Sequence, residues 1–404
     1  MIWNEASIDE IKSSEKYSCV GGPFGSDLTG AHYVDFGVPV IRGTNLPFDK
    51  KFSVDDFVYV SEEKANKLKS NTAYPGDLIF TQRGTLGQVG IVPSGKFDRY
   101  IISQSQMKLT IDSAKADPLY VYYYFRTKQS IVRIENLSLQ AGVPHINLGI
   151  LKKFKIPLPP LAIQKTIASI LSSYDELIEN NNQRIKLLEE MAEEIYKEWF
   201  VRFRFPGYEK TKVINGLPEG WEKLQVLEII ERYPAGKKYD NNTALEKGNV
   251  PILDQGQSGL IGYHNDEPSV FANLDDPIIV FANHTCYQKL IQFNFSAIQN
   301  VLPFKSNLKY NRDIYWLHYA TKNLIQFNDY KGHWPEFSSK KTIVPDLETA
   351  KSFGLIIKPM LNEIYVLEQK NEILKQTRDL LLPRLISGKL SVGHLVEETI
   401  IAEN

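Results

Sequence analysis

Cysteine is almost absent: Cys19 and Cys286 are the only two in 404 residues, and they lie far apart. That spacing argues against a disulfide framework and fits a reducing cytoplasm. No apolar run approaches the roughly 18 residues that a membrane span requires. Met1-Ile2-Trp3-Asn4-Glu5 does not open a secretory signal. Net charge is missing too, since 47 Lys and Arg face 48 Asp and Glu. A free-standing, strongly cationic nucleic-acid binder is therefore disfavoured, and any role on DNA needs a partner.

Reactive motifs are equally scarce. Gly21-Gly22-Pro23-Phe24-Gly25 is glycine-rich, but its proline spoils a dinucleotide fingerprint and leaves a turn. His284 and Cys286 lack a second pair of metal ligands. Glu62-Glu63-Lys64 after Asp49 or Asp55 is too common a pattern to make a nuclease, and Pro159-Pro160 is flanked by leucines rather than by a base-holding motif. We expect no catalytic residue, no metal and no cofactor on this chain.

What is present is written twice. Trp3 precedes Ile11 by eight residues, as Trp221 precedes Ile229. Val38-Pro39-Val40-Ile41 returns as Val250-Pro251-Ile252-Leu253, and Asp77-Leu78-Ile79-Phe80 as Asp276 to Phe281. Gly142-Val143-Pro144 with Lys152-Lys153 and Pro157 is echoed by Gly332 to Pro335 with Lys340-Lys341 and Pro345. Each half then ends in a long helical pattern. The first seam runs Ile167, Leu171, Tyr174, Ile178, Asn181, Ile185, Leu188, Ala192, Ile195 and Trp199. The second runs Phe353, Ile357, Met360, Ile364, Leu367, Asn371, Leu374, Leu381 and Leu385. Alternating steps of four and three make a coiled-coil seam, and its mid-seam asparagine is either a register device or a polar patch.

The expected organisation is α+β: two mixed α/β globules at 1–155 and 207–345, long helices at 156–206 and 346–390, and a tail at 391–404. Summed over these segments the charge is +3 for 1–155, −2 for 156–206, 0 for 207–345 and −2 for 346–404. The helices are poor DNA ligands on that count and read as spacers or docking surfaces.

Loops after the matched strands carry the candidate DNA contacts. The first is Thr81-Gln82-Arg83-Gly84-Thr85-Leu86-Gly87-Gln88, where Gln82, Gln88 and Arg83 suit adenine and guanine edges. Its counterpart supplies Asn283, His284, Thr285, Tyr287 and Gln288. Arg42, Thr44 and Asn45 pair with Gln255 and Gln257, and Gln104 and Gln106 with Gln299 and Asn300. Lys152, Lys153, Lys340 and Lys341 suit phosphate grips. An ordinary polar hairpin, or a solvated helix end for the lysines, explains the same residues without DNA.

Four segments resemble the specificity subunit of type I restriction–modification systems. They are Gly76-Asp77-Leu78-Ile79-Phe80-Thr81-Gln82-Arg83-Gly84, Ile156-Pro157-Leu158-Pro159-Pro160-Leu161 with Gln164, Ile195-Tyr196-Lys197-Glu198-Trp199-Phe200, and Leu381-Leu382-Pro383-Arg384-Leu385-Ile386-Ser387-Gly388-Lys389-Leu390. The second half departs from the pattern: Val344-Pro345-Asp346-Leu347 lacks the Pro-Leu-Pro-Pro run, and its loop has no Arg-Gly. The resemblance implies two target recognition domains held apart by two antiparallel helices with pseudo-two-fold symmetry, each domain reading half of a bipartite site on double-stranded DNA. It further implies a non-catalytic chain that recruits two S-adenosylmethionine-dependent adenine methyltransferase subunits and, with them, motor–nuclease (restriction) subunits. The competing reading is a coiled-coil scaffold that joins two protein-binding modules without DNA specificity.

Overall fold

The computed structural model describes residues 3–139, 145–234, 236–237, 239–256, 259–327, 331–393 and 395. The 142–144 repeat match, the candidate Gln257 and most of the expected tail lie outside them. The chain forms two compact units, 1–180 with 371–404 and 181–370. Each takes its own segment of both long helices, so the division falls beside the seam asparagines rather than at the helix ends.

In the first unit a four-stranded sheet has the order Cys19–Gly21, Gln106–Leu109, Leu78–Thr81, Val89–Ile91. In the second the same order appears as Ile230–Arg232, Val301–Ser306, Ile278–Ala282, Gln288–Ile291. Val38–Ile41 pairs in parallel with Tyr100–Ile102, and Val250–Leu253 with Ser296–Ala297. Parallel pairing inside a mostly antiparallel module is a distinctive arrangement. Its recurrence bears out the duplication that the short sequence matches announce.

The repeat also corrects one of those matches. Ser7 pairs with Lys155, and Gln225 with Lys341. The Phe154 carbonyl accepts from Ile8 N, as the Lys340 carbonyl accepts from Val226 N. Lys340-Lys341 therefore corresponds to Phe154-Lys155, not to Lys152-Lys153. Basic residues alone do not fix a register, whereas ladder hydrogen bonds do.

The helices span Leu161–Tyr196 and Leu347–Ile386, about 54 and 60 Å at 1.5 Å per residue. Gln164 pins the start of the first: its amide donates to the Pro159 carbonyl and accepts from Asp117 N. A turn of π-helix, Lys197–Val201, closes it and buries Trp199 and Phe200 against Phe353. In the second unit Arg184 meets Glu363 while Tyr196 meets Phe353, so there the two helical segments run antiparallel. Asn181 and Asn371 are both buried, as their seam positions require.

Besides the two asparagines, one seam position carries a charge. The step from Leu374 to Leu381 is filled by Arg378, whose guanidinium lies 2.5 Å from Asp175. Tyr123 donates its hydroxyl to the other Asp175 oxygen at 2.6 Å. This buried triad ties the helix Pro118–Arg126 to both long helices within the first unit. Counted from Leu161 and Leu347, the second unit has Leu361 and Ala192 at the corresponding places, packed in its apolar core.

The second core holds a different polar group. His318, on the helix Ile314–Thr321, is buried, and its basicity is pushed down to about 3 by burial, with Lys322 adding to the effect. Its Nδ1 and carbonyl both face the Gln288 amide.

Two outcomes follow. Arg378→Leu leaves Asp175 buried without its countercharge and is expected to cost about 3–5 kcal/mol in denaturant unfolding. Asp175→Leu with Arg378→Ala copies the second unit and is expected to cost less than the sum of the single changes. For His318 the folded-state pKa lies below the unfolded value near 6.5, so its contribution is complete above that pH. It is lost as pH falls from about 6.5 toward 3, at up to about 1.4 kcal/mol per pH unit. Unfolding curves of His318→Gln should differ from the parent in slope across that window and run parallel to it above pH 7.

Candidate nucleic-acid interface

In the first unit the candidate loops converge because their strands end together. Ser103 N bonds the Ile41 carbonyl, and Gln82 N the Ser105 carbonyl. Gln88 reaches from Thr81 to the Gly43 carbonyl. Residues 42–45, 81–88 and 103–106 thus share one end of the two sheets. Their sequences hold two arginines and no Asp or Glu. Gly84 and Gly87, at φ of 99° and 82°, supply left-handed backbone that other residues take at a cost.

Position within these loops decides what each side chain can do. Arg83, Thr85 and Thr44 are exposed, and among the described residues the Arg83 guanidinium meets no acceptor. Gln82 is half-buried. Five of the expected contacts are engaged within the module or buried in it. Thr81 is the last residue of its strand, 2% exposed, and donates to Gln88. Gln106 opens the neighbouring strand and is 1% exposed. Asn45 is buried, accepting from Arg42 N and donating to the Ser53 and Asp55 carbonyls. Gln104 is exposed, but its amide nitrogen is engaged by the carbonyls of Gly25 and Leu28. Arg42 turns back to the Asp56 carbonyl at 2.6 Å.

The lysines do not join this cluster. Lys152 lies close enough to Cys19 to act on its thiol, at the opposite end of that strand from Gly21. Burial nonetheless pushes the Cys19 thiol up. Lys153 is exposed on the same short helix, Leu148–Lys153.

The second unit repeats the placement with other residues. Asn283 N bonds the Asn300 carbonyl as Gln82 N bonds Ser105, which makes His284 the counterpart of Arg83. His284 N donates to the Gln255 side chain, and Thr285 Oγ1 to the Gln255 carbonyl. The His284 ring lies 2.9 Å from the Lys331 carbonyl. Asn283 is used internally, accepting from Trp334 N. The Gln288 amide donates to the His318 carbonyl and so is engaged inside the module. Asn300, at φ 72°, shapes its turn through its backbone. Lys340 pairs with Glu336, and Lys341 opens a strand on the Gln225 side. Tyr287 is half-buried and Gln299 exposed. A concavity of about 540 Å³, lined by Tyr239, Asp240, Gln255, Thr285 and Gln299, lies alongside.

Residues that sequence reasoning passed over are Tyr239, Asp240 and Phe24. For the last, the only signal was an aromatic residue inside a glycine-rich turn. Among the described residues no three His, Cys, Asp or Glu are placed to hold a metal, and no helix is long and apolar enough to cross a membrane.

Comparison with known proteins agrees with this architecture. Residues 34–190 match the family described as the type I restriction modification DNA specificity domain. The type I restriction enzyme MjaIX specificity subunit of Methanocaldococcus jannaschii is 24% identical, over 87% of this chain and 88% of that one. The MjaVIII specificity subunit of the same organism is 25% identical over 73% and 75%. The crystal structure of the type I restriction–modification S subunit from M. genitalium superposes with a TM-score of 0.61 at 17% identity, covering 95% of this chain and 96% of that one. That likeness concerns the fold: mixed α/β modules with two long helices of the coiled-coil type. Residues 34–190 thus carry a type I restriction modification DNA specificity domain, and over most of its length the chain is similar to type I restriction enzyme specificity subunits.

Proposed function

We propose that the two units each read one half of a split DNA site, and that the chain does no chemistry itself. The observation that carries this reading is the convergence of three loops at one sheet end, with an Arg83 that is exposed and unpaired among the described residues and no Asp or Glu in the three loop sequences. A guanidinium without an internal acceptor on a rigid scaffold is suited to bidentate pairing with guanine O6 and N7. In the second unit His284, Tyr287, Thr285 and Gln299 occupy the same place with different donors and acceptors, as reading a different sequence requires. That cluster carries no Lys or Arg and includes Asp254. Its phosphate affinity must then come from elsewhere in the complex. Methyltransferase subunits that carry S-adenosylmethionine, and motor–nuclease subunits, would supply both the chemistry and that affinity. The long helices serve as the docking surface and set the spacer between the half-sites.

Arg83→Ala is expected to remove about 1–3 kcal/mol of base discrimination. The change should fall in one half-site, read by selecting bound duplexes from a randomised pool. Equal relaxation in both halves contradicts the assignment. Because the helical segments pair, lengthening the rod means adding a turn to both helices, after Asn180 and after Lys370. Some 6 Å of added length is expected to lengthen the spacer by about two base pairs and leave both half-sites as they were. An unchanged spacer contradicts the rod.

A further inference from the structure

Phe24 is 85% exposed, and it is held in place. The residues that bracket it are anchored: Pro23 and Leu28 are buried, and Asp27 N bonds the Phe24 carbonyl. Gln104 spans the turn from outside, donating to the carbonyls of Gly25 and Leu28. Gly22, just before, lies so close to the neighbouring loop that a Cβ there would come 2.0 Å from the Ser103 carbonyl oxygen. Asn71 closes the other side by donating to the Gly21 carbonyl at 2.7 Å. Residues 21–28 form a clamped knuckle built onto the 103–106 loop, which belongs to the strand-end cluster of Arg83.

A fully exposed phenyl ring on a mobile loop would need no explanation. A ring fixed in water beside a polar reading surface has a narrower set of uses. The knuckle carries Asp27 and no basic residue, so it is not a phosphate grip. Phe36 is as exposed as Phe24, but it precedes the strand Val38–Ile41, whose other end bears the cluster. Phe24 alone of the two is continuous with the candidate interface.

We infer that Phe24 is an apolar wedge that enters the DNA base stack at the edge of the half-site read by the first unit. This rests on the half-site reading above. Wedges of this kind partly unstack one base step and kink the duplex, and aliphatic side chains also serve. Sequence preference then arises at a step that no donor touches, because flexible steps open more cheaply. The knuckle's clamps supply the rigidity a wedge needs, and Gln104 contributes by holding the knuckle rather than by reading a base.

The test uses the full chain assembled with its methyltransferase subunits and a duplex carrying the recognised sequence, with 2-aminopurine placed at successive positions of one half-site. The parent complex is expected to brighten the probe at a single step. Phe24→Ala should lose that signal and weaken binding roughly tenfold, in line with the stacking worth of one aromatic ring. Phe24→Leu should retain most of both, and subunit composition by native mass spectrometry should be the same for all three. Parent-like fluorescence and affinity in Phe24→Ala would overturn the wedge. So would loss of methyltransferase subunits from that variant, which would make Phe24 a protein contact. If the parent complex itself fails to prefer the recognised duplex, the half-site reading fails, whatever Phe24 does.

Discussion

The pairing of Arg378 with Asp175, completed by the Tyr123 hydroxyl, is the constraint from which the first unit takes its shape. A seam of apolar residues alone is tolerant of sliding, because one leucine rung resembles the next. A buried guanidinium and carboxylate are not interchangeable with their neighbours, and displacing either by one turn strands a charge. The triad therefore fixes helix register and joins the α/β globule of the first unit to it through one side chain, Tyr123. Burial and the Asp175 carboxylate keep that phenol protonated, raising its pKa further above the ordinary value. The second unit solves the same problem with Leu361 and Ala192 and an aromatic cluster around Phe353. Two copies of one module have thus acquired distinguishable helix contacts.

Much of this was legible in the sequence, and what was not failed for identifiable reasons. The seam was readable because alternating steps of three and four leave a trace in any apolar pattern. Arg378 was passed over because a charged residue at a seam position looks like a gap until its partner is seen. The strand pairs Val38–Ile41 and Val250–Leu253 were readable as repeated Val-Pro runs. Their parallel neighbours, Tyr100–Ile102 and Ser296–Ala297, share no residues and were silent. The equivalence of Lys341 with Lys155 was hidden because the second half lacks the proline run that would have anchored the alignment.

The candidate site shows the same division. Sequence placed the loops, since a polar run with glycines after a buried strand has few other homes. It did not sort the side chains within them. Thr81 and Gln106 look like loop residues but lie within the ladder, one residue beyond where the apolar run stops. Gln88, Gln104 and Gln288 have the same composition value as readers, yet each is committed to a carbonyl or hydroxyl of its own module. Amides serve internal satisfaction as readily as external recognition, and only geometry separates the two. Arg83, exposed and unpaired among the described residues, survives that sorting.

The central claim, one half-site per unit, is tested most directly by a methylation map. The chain would be expressed with a type I methyltransferase subunit in a host lacking adenine methylation, and every modified adenine in the genome located. A single split motif is expected: two short specified segments, a methylated adenine in each, and a fixed unspecified spacer between them. A continuous motif, or a methylating complex with no sequence preference, would contradict it.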